Sequence, residues 1–232
     1  MKYFIGDIHG EYEKLTRLIS VLERDAAEYV FLGDYLDKGL KVRETVDFLL
    51  ELAKTKKCVF LMGDHEYAWK RYFEGEERFY DFLLKYGGPQ TIWSYLGKMV
   101  SGEETKKLLA DKKTMKDILR VHEGFFTGLE PYHEVNGEFL AVHAGIKPEK
   151  KDLALADQDT EELVFVRNDF INSKFLYKGK KIVFGHTAFP EPYRDDFKVG
   201  IDTGAVYPEM GNLTAFNAEE KFFVQEKRGR FA

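Results

Sequence analysis

The sequence predicts an α/β fold built on consecutive parallel strands, and three observations carry that expectation. Short apolar runs rich in β-forming residues recur at near-equal spacing. Each run ends in a Gly-Asp pair. An amphipathic helical pattern fills each interval between them.

The first run, Lys2-Tyr3-Phe4-Ile5, closes at Gly6-Asp7-Ile8-His9-Gly10. Apolar residues stopped by glycine read as a buried strand entering a tight turn, because glycine accepts backbone angles that other residues resist. Leu15, Leu18, Ile19 and Leu22 then fall on one helical face, with Glu11, Glu13, Lys14, Arg17 and Glu23 off it. The second run, Tyr29-Val30-Phe31-Leu32, meets Gly33-Asp34-Tyr35-Leu36-Asp37-Lys38-Gly39. Val42, Val46, Leu49, Leu50 and Ala53 repeat the helical stripe, and Cys58-Val59-Phe60-Leu61 leads to Gly63-Asp64-His65-Glu66. Strand, helix, strand, helix, strand makes two βαβ units, whose right-handed crossovers join parallel strands.

Ligands of open α/β sheets bind beyond the C-terminal ends of the strands. Asp7, His9, Asp34, Asp37, Asp64 and His65 all fall there. One Gly-Asp after a strand is often a plain turn whose Asp caps the next helix. Three at matching spacing, two of them with His, point instead to divalent metal. Two later runs repeat the pattern. Phe139-Leu140-Ala141-Val142 enters His143-Ala144-Gly145, and Lys181-Ile182-Val183-Phe184 enters Gly185-His186-Thr187. Carboxylates mixed with neutral imidazoles suit Mn, Fe or Zn. His122 and His133 stand outside these blocks and read as surface or structural residues.

Composition excludes several classes. With 232 residues, 44% of them hydrophobic, the chain can bury the core of a single domain. A net charge of −5 argues against an extended nucleic-acid surface, which needs a basic face. No apolar run is long enough to span a bilayer, so no membrane partner is expected. Met1 leads straight into the first strand, so no signal peptide is expected and the protein reads as cytoplasmic. The single cysteine, Cys58, lies in an apolar run and reads as a buried reduced thiol.

Taken in order, Gly-Asp-x-His-Gly, Gly-Asp-x-x-Asp-x-Gly, Gly-x-His-Glu, His-Ala-Gly and Gly-His-Thr resemble the phosphoprotein (serine/threonine) phosphatase family of binuclear metallophosphoesterases, in its phage-type and bacterial branch. The likeness runs from Gly6 to about Ala215. It includes Gly87-Gly88-Pro89-Gln90-Thr91-Ile92-Trp93-Ser94-Tyr95, Arg167, Ile201-Asp202-Thr203-Gly204 and the closing Gly211-Asn212-Leu213-Thr214-Ala215. The resemblance implies a calcineurin-like four-layer sandwich of two mixed β-sheets flanked by helices, the strands from Phe139 onward supplying the second sheet. It implies two divalent ions, manganese first, with iron or zinc fitting the same donors. Asp7, His9 and Asp34 would hold one; Asp34, Asp64, His143 and His186 would hold the other. A hydroxide between the metals would attack phosphorus in line, His65 would protonate the leaving group under orientation by Asp37, and Arg167 and Lys38 would bind the phosphate.

This chain departs from that pattern at three positions. Asp64 stands where the family usually has Asn, Lys38 where it has Arg, and Met62 where many relatives carry another Arg. Lysine keeps the charge of arginine but loses its forked geometry. The expected substrate is a phosphoprotein or small phosphoester, with a serine/threonine protein phosphatase as the leading reading. A dinucleoside polyphosphate hydrolase, or a weakly catalytic metal-bearing scaffold, stands as the alternative. Residues 67–136 are expected as a helical, cap-like insertion in one domain spanning 1–232. Tyr67, Trp69, Tyr72, Phe73, Phe79, Tyr80, Phe82, Leu83 and Tyr86 read as its core, and Asp111-Lys112-Lys113-Thr114 reads as a turn. The sequence does not reveal an oligomeric state.

Overall fold

The computed structural model describes residues 1–22 and 28–226. Glu23, placed above off the first helical stripe, lies outside them. The opening elements follow the predicted order: β1 (Lys2–Ile5), α1 (Tyr12–Leu22), β2 (Glu28–Phe31), α2 (Val42–Ala53) and β3 (Lys57–Phe60). The three strands are parallel, with Tyr3 opposite Tyr29 and Tyr29 opposite Cys58.

Helices α3 (Asp64–Phe73), α4 (Arg78–Tyr86), α5 (Gly88–Leu96), α6 (Gly102–Ala110), α7 (Lys112–Leu119) and α8 (Glu123–Thr127) come next. After them run β4 (Tyr132–Val135) and β5 (Phe139–Val142), the short helices α9 (Thr160–Phe165) and α10 (Asn168–Ile171), then β6 (Lys181–Phe184), β7 (Tyr193–Arg194), β8 (Lys198–Gly200), β9 (Leu213–Asn217) and β10 (Phe223–Glu226). One five-stranded sheet has the order β10-β9-β1-β2-β3, and the other β4-β5-β6-β8-β7.

One expectation needs correction. The second sheet begins before Phe139, at β4, and β9 and β10 leave it to complete the first sheet. Strand β9 runs antiparallel to β1, with Phe4 opposite Phe216. The reason is burial: all five β9 residues are buried, and without them the side of β1 away from β2 would be an unpaired edge.

Alternation along each strand builds four layers. Phe4, Val30 and Phe216 face inward and meet Phe139, Val183 and Val199 of the second sheet. The Phe4 ring lies edge-on to Phe139 at 5.7 Å between centroids. Tyr3, Ile5 and Phe31 face outward onto Leu15, Leu18 and Leu49 of α1 and α2. On the far side, Leu140, Val142 and Phe184 pack beneath Leu163 and Phe170 of α9 and α10.

The helices α3–α8 share the apolar cluster of α1, α2 and the first sheet. Tyr67, Trp69, Tyr72, Phe79 and Leu83 are buried there, as expected. Tyr86 is not: it is 42% exposed. Asp111 is more than a turn residue, since its side chain accepts the Thr114 N–H at 3.1 Å and caps α7. His122 is buried, with Nδ1 2.6 Å from Tyr95 Oη and Nε2 2.9 Å from Asp47 Oδ1. Cys58 is half-buried, and its desolvation pushes the thiol up to about 12, so it stays protonated. Among the described residues, no helix is long and apolar enough to cross a membrane.

Candidate metal centre

Five loops converge on one spot, each leaving the C-terminal end of a strand. Asp7 and His9 follow β1, Asp34 and Asp37 follow β2, and Asp64 and His65 open α3 after β3. His143 follows β5 and His186 follows β6. All eight side chains are buried. The backbone bends sharply to bring them there. Among the described residues, eight residues other than glycine have positive φ, and five of them are His9, Asp34, Asp37, Lys38 and His186. Strain of this kind persists only where surrounding structure enforces it.

The donors form three groups whose ligand atoms lie within 4.8 Å of one another: Asp64–His143–His186, Asp7–Asp34–His143 and His9–Asp34–His65. Asp34 joins two of them, and Oδ1 of Asp64 lies 3.0 Å from both His143 Nε2 and His186 Nδ1. His9 and Asp7, expected at one metal, fall into different groups here, each beside Asp34. His65, expected as an acid, stands with His9 and Asp34. Gly63 and Gly185 make the close approach feasible, since a Cβ would overlap Asp34 Oδ1 at the first and Asp7 Oδ1 at the second.

These residues fit a pair of divalent cations on their own chemistry. His9 Nδ1 donates to the Leu36 carbonyl at 2.7 Å and His143 Nδ1 to the Leu32 carbonyl at 2.8 Å. That orients each ring and turns each Nε2 toward the carboxylates. Asp7 Oδ1 is buried without a hydrogen-bond partner. Cations already approach the site, with Lys38 Nζ 2.7 Å from His9 Nε2 and Arg167 Nη2 2.9 Å from His186 Nε2. Burial opposes ionisation of Asp64, but the neighbouring His186 and His143 imidazoles outweigh it and hold the carboxyl well below its usual range. Asp7 is driven the other way, by burial and then by the charge of Asp202.

Asp37 is fully engaged. Its Oδ2 accepts from His65 Nδ1 at 2.7 Å, and its Oδ1 accepts from Thr91 Oγ1 at 2.6 Å and Trp69 Nε1 at 3.0 Å. Burial alone would lower the His65 pKa, but the charge of Asp34 and the Asp37 hydrogen bond raise it to about 9. Sequence reasoning assigned no role to Glu66, Thr91 or Asp202. Glu66 is buried and accepts four backbone N–H bonds, from Asp34 and Gly63 through Oε2 and from Tyr35 and Leu36 through Oε1. A signal for it existed: glutamate at the third helical position reaches back to the N-cap amide. Burial, then the Asp34 charge, lifts its pKa to about 7.

The carboxylates and imidazoles clustered at the strand ends of this two-sheet sandwich could hold divalent metal, and the family match below makes the chain a metal-dependent phosphoesterase. The profile of the calcineurin-like phosphoesterases matches residues 3–208, and the chain belongs to that family, whose members bind divalent metals. It is 28% identical over 241 residues to the asymmetrical bis(5'-nucleosyl)-tetraphosphatase PrpE of Bacillus subtilis (strain 168), covering 93% of this chain and 90% of the relative. Its fold is similar to a crystal structure of a protein proposed to be a diadenosine tetraphosphatase (TM-score 0.60, 16% identity, 97% of this chain and 91% of that one). It is also similar to a Saccharomyces cerevisiae serine/threonine phosphatase with similarity to human PP5 (TM-score 0.64, 13% identity, 100% and 81%).

Asp64 bears on turnover. Two divalent cations against Asp7, Asp34 and Asp64 would leave one positive charge, and an amide in place of Asp64 would leave two. A phosphoester anion would then meet a stronger field, and an amide N–H₂ could also donate to it, which a carboxylate cannot. Asp64→Asn is expected to raise kcat/KM for a phosphoester about tenfold while weakening metal retention, from Coulomb energies at short range in a partly screened site. Steady-state rates and metal content of the two proteins check this; equal or lower kcat/KM in the variant would refute it.

Proposed function

We propose that this protein hydrolyses dinucleoside polyphosphates, cleaving a substrate such as diadenosine tetraphosphate off-centre into a nucleoside triphosphate and a nucleoside monophosphate. The observation that carries this reading is the likeness to the asymmetrical tetraphosphatase of Bacillus subtilis along almost the whole of both chains. The placement of cations supports it. Lys38 stands at the His9 edge of the donor groups and Arg167 at the His186 edge, so a polyanionic chain across the centre would meet a positive group at each side.

In this reading Asp7, His9 and Asp34 would hold one divalent ion, and Asp34, Asp64, His143 and His186 would hold the second. Such a pair would supply Lewis-acid stabilisation of the phosphoryl oxygens and lower the pKa of bound water. The chain's own groups do the rest. Arg167 offers paired N–H donors to a phosphoryl group, and Lys38 offers a point charge. Asp37 holds the His65 ring through Nδ1, leaving the Nε2 proton free to meet the departing oxygen.

A second reading, serine/threonine phosphatase, is favoured by that same pair. An alkoxide is a poor leaving group and needs an acid, whereas a polyphosphate leaves with little help. The deciding experiment compares diadenosine tetraphosphate with a phosphothreonine peptide, using chelator-stripped protein before and after Mn²⁺. The expected result is metal-dependent release of ATP and AMP, with kcat/KM for the dinucleotide about a hundredfold above the peptide. The reverse preference would establish the phosphatase instead. No turnover of either, with two metals bound, would leave the scaffold reading.

A further inference from the structure

Among the described residues, Tyr86, Tyr207 and Phe222 are the aromatic rings left exposed. One of these three lies beside Lys38, and a second adjoins the glycine that Lys38 hydrogen-bonds. Tyr207 is 37% exposed, and its ring centroid lies 5.5 Å from Lys38 Nζ. Tyr86 ends α4 immediately before Gly87, whose carbonyl accepts the Lys38 backbone N–H at 3.3 Å. The Tyr86 ring packs 4.8 Å from Phe82, which in turn lies 5.5 Å from the His65 ring. Each tyrosine also carries its own ammonium, since Lys85 Nζ sits 4.8 Å from the Tyr86 centroid as Lys38 does beside Tyr207.

Both rings are firmly mounted. Tyr86 stands on a helix. The Tyr207 N–H donates to the Gly204 carbonyl at 2.8 Å, the Gly211 N–H donates to the same oxygen at 3.0 Å, and Lys14 Nζ donates to the Ala205 carbonyl. The third ring, Phe222, lies beside Tyr3 near the start of β1, at the opposite end of the strand from Asp7. Single exposed hydrophobic side chains are ordinary on a protein surface, so it is the placement of two of these rings beside the Lys38 segment that bears on the site.

We infer that Tyr86 and Tyr207 are nucleobase platforms, each stacking one base of a dinucleotide while Lys38 and Lys85 meet its phosphates. The inference rests on the dinucleoside polyphosphate reading and names how that substrate is told from a plain phosphoester. Aromatic faces accept any base, so the platforms select for a nucleoside without selecting which one.

The test uses the metal-loaded full chain and the variants Tyr86→Ala, Tyr207→Ala, Tyr86→Phe, Tyr207→Phe and Phe222→Ala. Two quantities are measured: kcat/KM for diadenosine tetraphosphate, and the inhibition constants of ATP and inorganic tripolyphosphate against p-nitrophenyl phosphate. ATP and tripolyphosphate differ by the nucleoside alone. Each alanine variant is expected to lower kcat/KM for the dinucleotide and to raise the ATP constant about tenfold, with tripolyphosphate shifting less than about twofold. The phenylalanine variants restore both, and Phe222→Ala changes neither. Equal shifts for ATP and tripolyphosphate would mean that the rings only steady the lysines, and no shift would remove the platforms; either overturns the inference while leaving the proposed function intact. A wild-type protein that cleaves no dinucleotide and binds ATP no better than tripolyphosphate overturns both.

Discussion

Replacing Asp34 by Asn is expected to cut kcat/KM for any phosphoester about a thousandfold, the loss of several kcal/mol of metal-derived transition-state stabilisation. It should also reduce bound metal below two ions per chain. The reason is position. Asp34 is the carboxylate common to the Asp7–His143 and His9–His65 groups, and its Oδ1 also accepts the His65 backbone N–H at 3.3 Å. Asn keeps the shape and tolerates the left-handed backbone found at Asp34, where φ is +55°. The variant therefore removes a charge without forcing a refold. Elemental analysis alongside steady-state kinetics checks the prediction, and a variant that retains two metals and most of its rate would refute it.

His65→Asn is expected to have an effect that depends on the leaving group. General acid catalysis contributes about 10²–10⁴ in rate, so hydrolysis of a phosphothreonine peptide should fall by about a thousandfold. Cleavage of diadenosine tetraphosphate should fall only about tenfold, because a departing polyphosphate is stable without a proton. The geometry behind this is the His65 Nδ1–Asp37 Oδ2 contact at 2.7 Å, with Thr91 and Trp69 holding the other Asp37 oxygen. Equal losses on both substrates would assign His65 to holding charge or metal rather than to delivering a proton.

The sequence made the strand-end blocks legible because their information is local. An apolar run, a glycine and an acid within six residues specify a strand, a turn and a ligand together, so β1, β2 and β3 and their loops lie where periodicity placed them. The return of β9 to the first sheet was not legible. Leu213–Asn217 carries two polar residues in five and shows no inner-strand pattern, though all five are buried, and its partner, β1, lies more than two hundred residues earlier. The dual burial of Glu66 was hidden for a similar reason, since three of its four amide partners lie in the Asp34–Leu36 loop. Tyr86 misled in the other direction. Its spacing fits the buried face of α4, yet Gly87 turns the chain toward Lys38 at that point and leaves the ring in solvent. Thr91, Trp69 and Asp37 meet only in three dimensions; Asp37 and Thr91 lie in segments that resembled the family, whereas Trp69 read only as core of the helical insertion.

The position of β1 between β2 and β9 sets an order of events during synthesis. At about 5–20 residues per second, roughly ten seconds or more separate the emergence of β1 from that of its antiparallel neighbour. Throughout that interval one edge of the strand has no antiparallel partner. His186 also emerges late, so the Asp64–His143–His186 group cannot exist on a half-made chain. The other two donor groups are complete by His143, so a ribosome-stalled fragment ending before β6 would keep them and lack only the third.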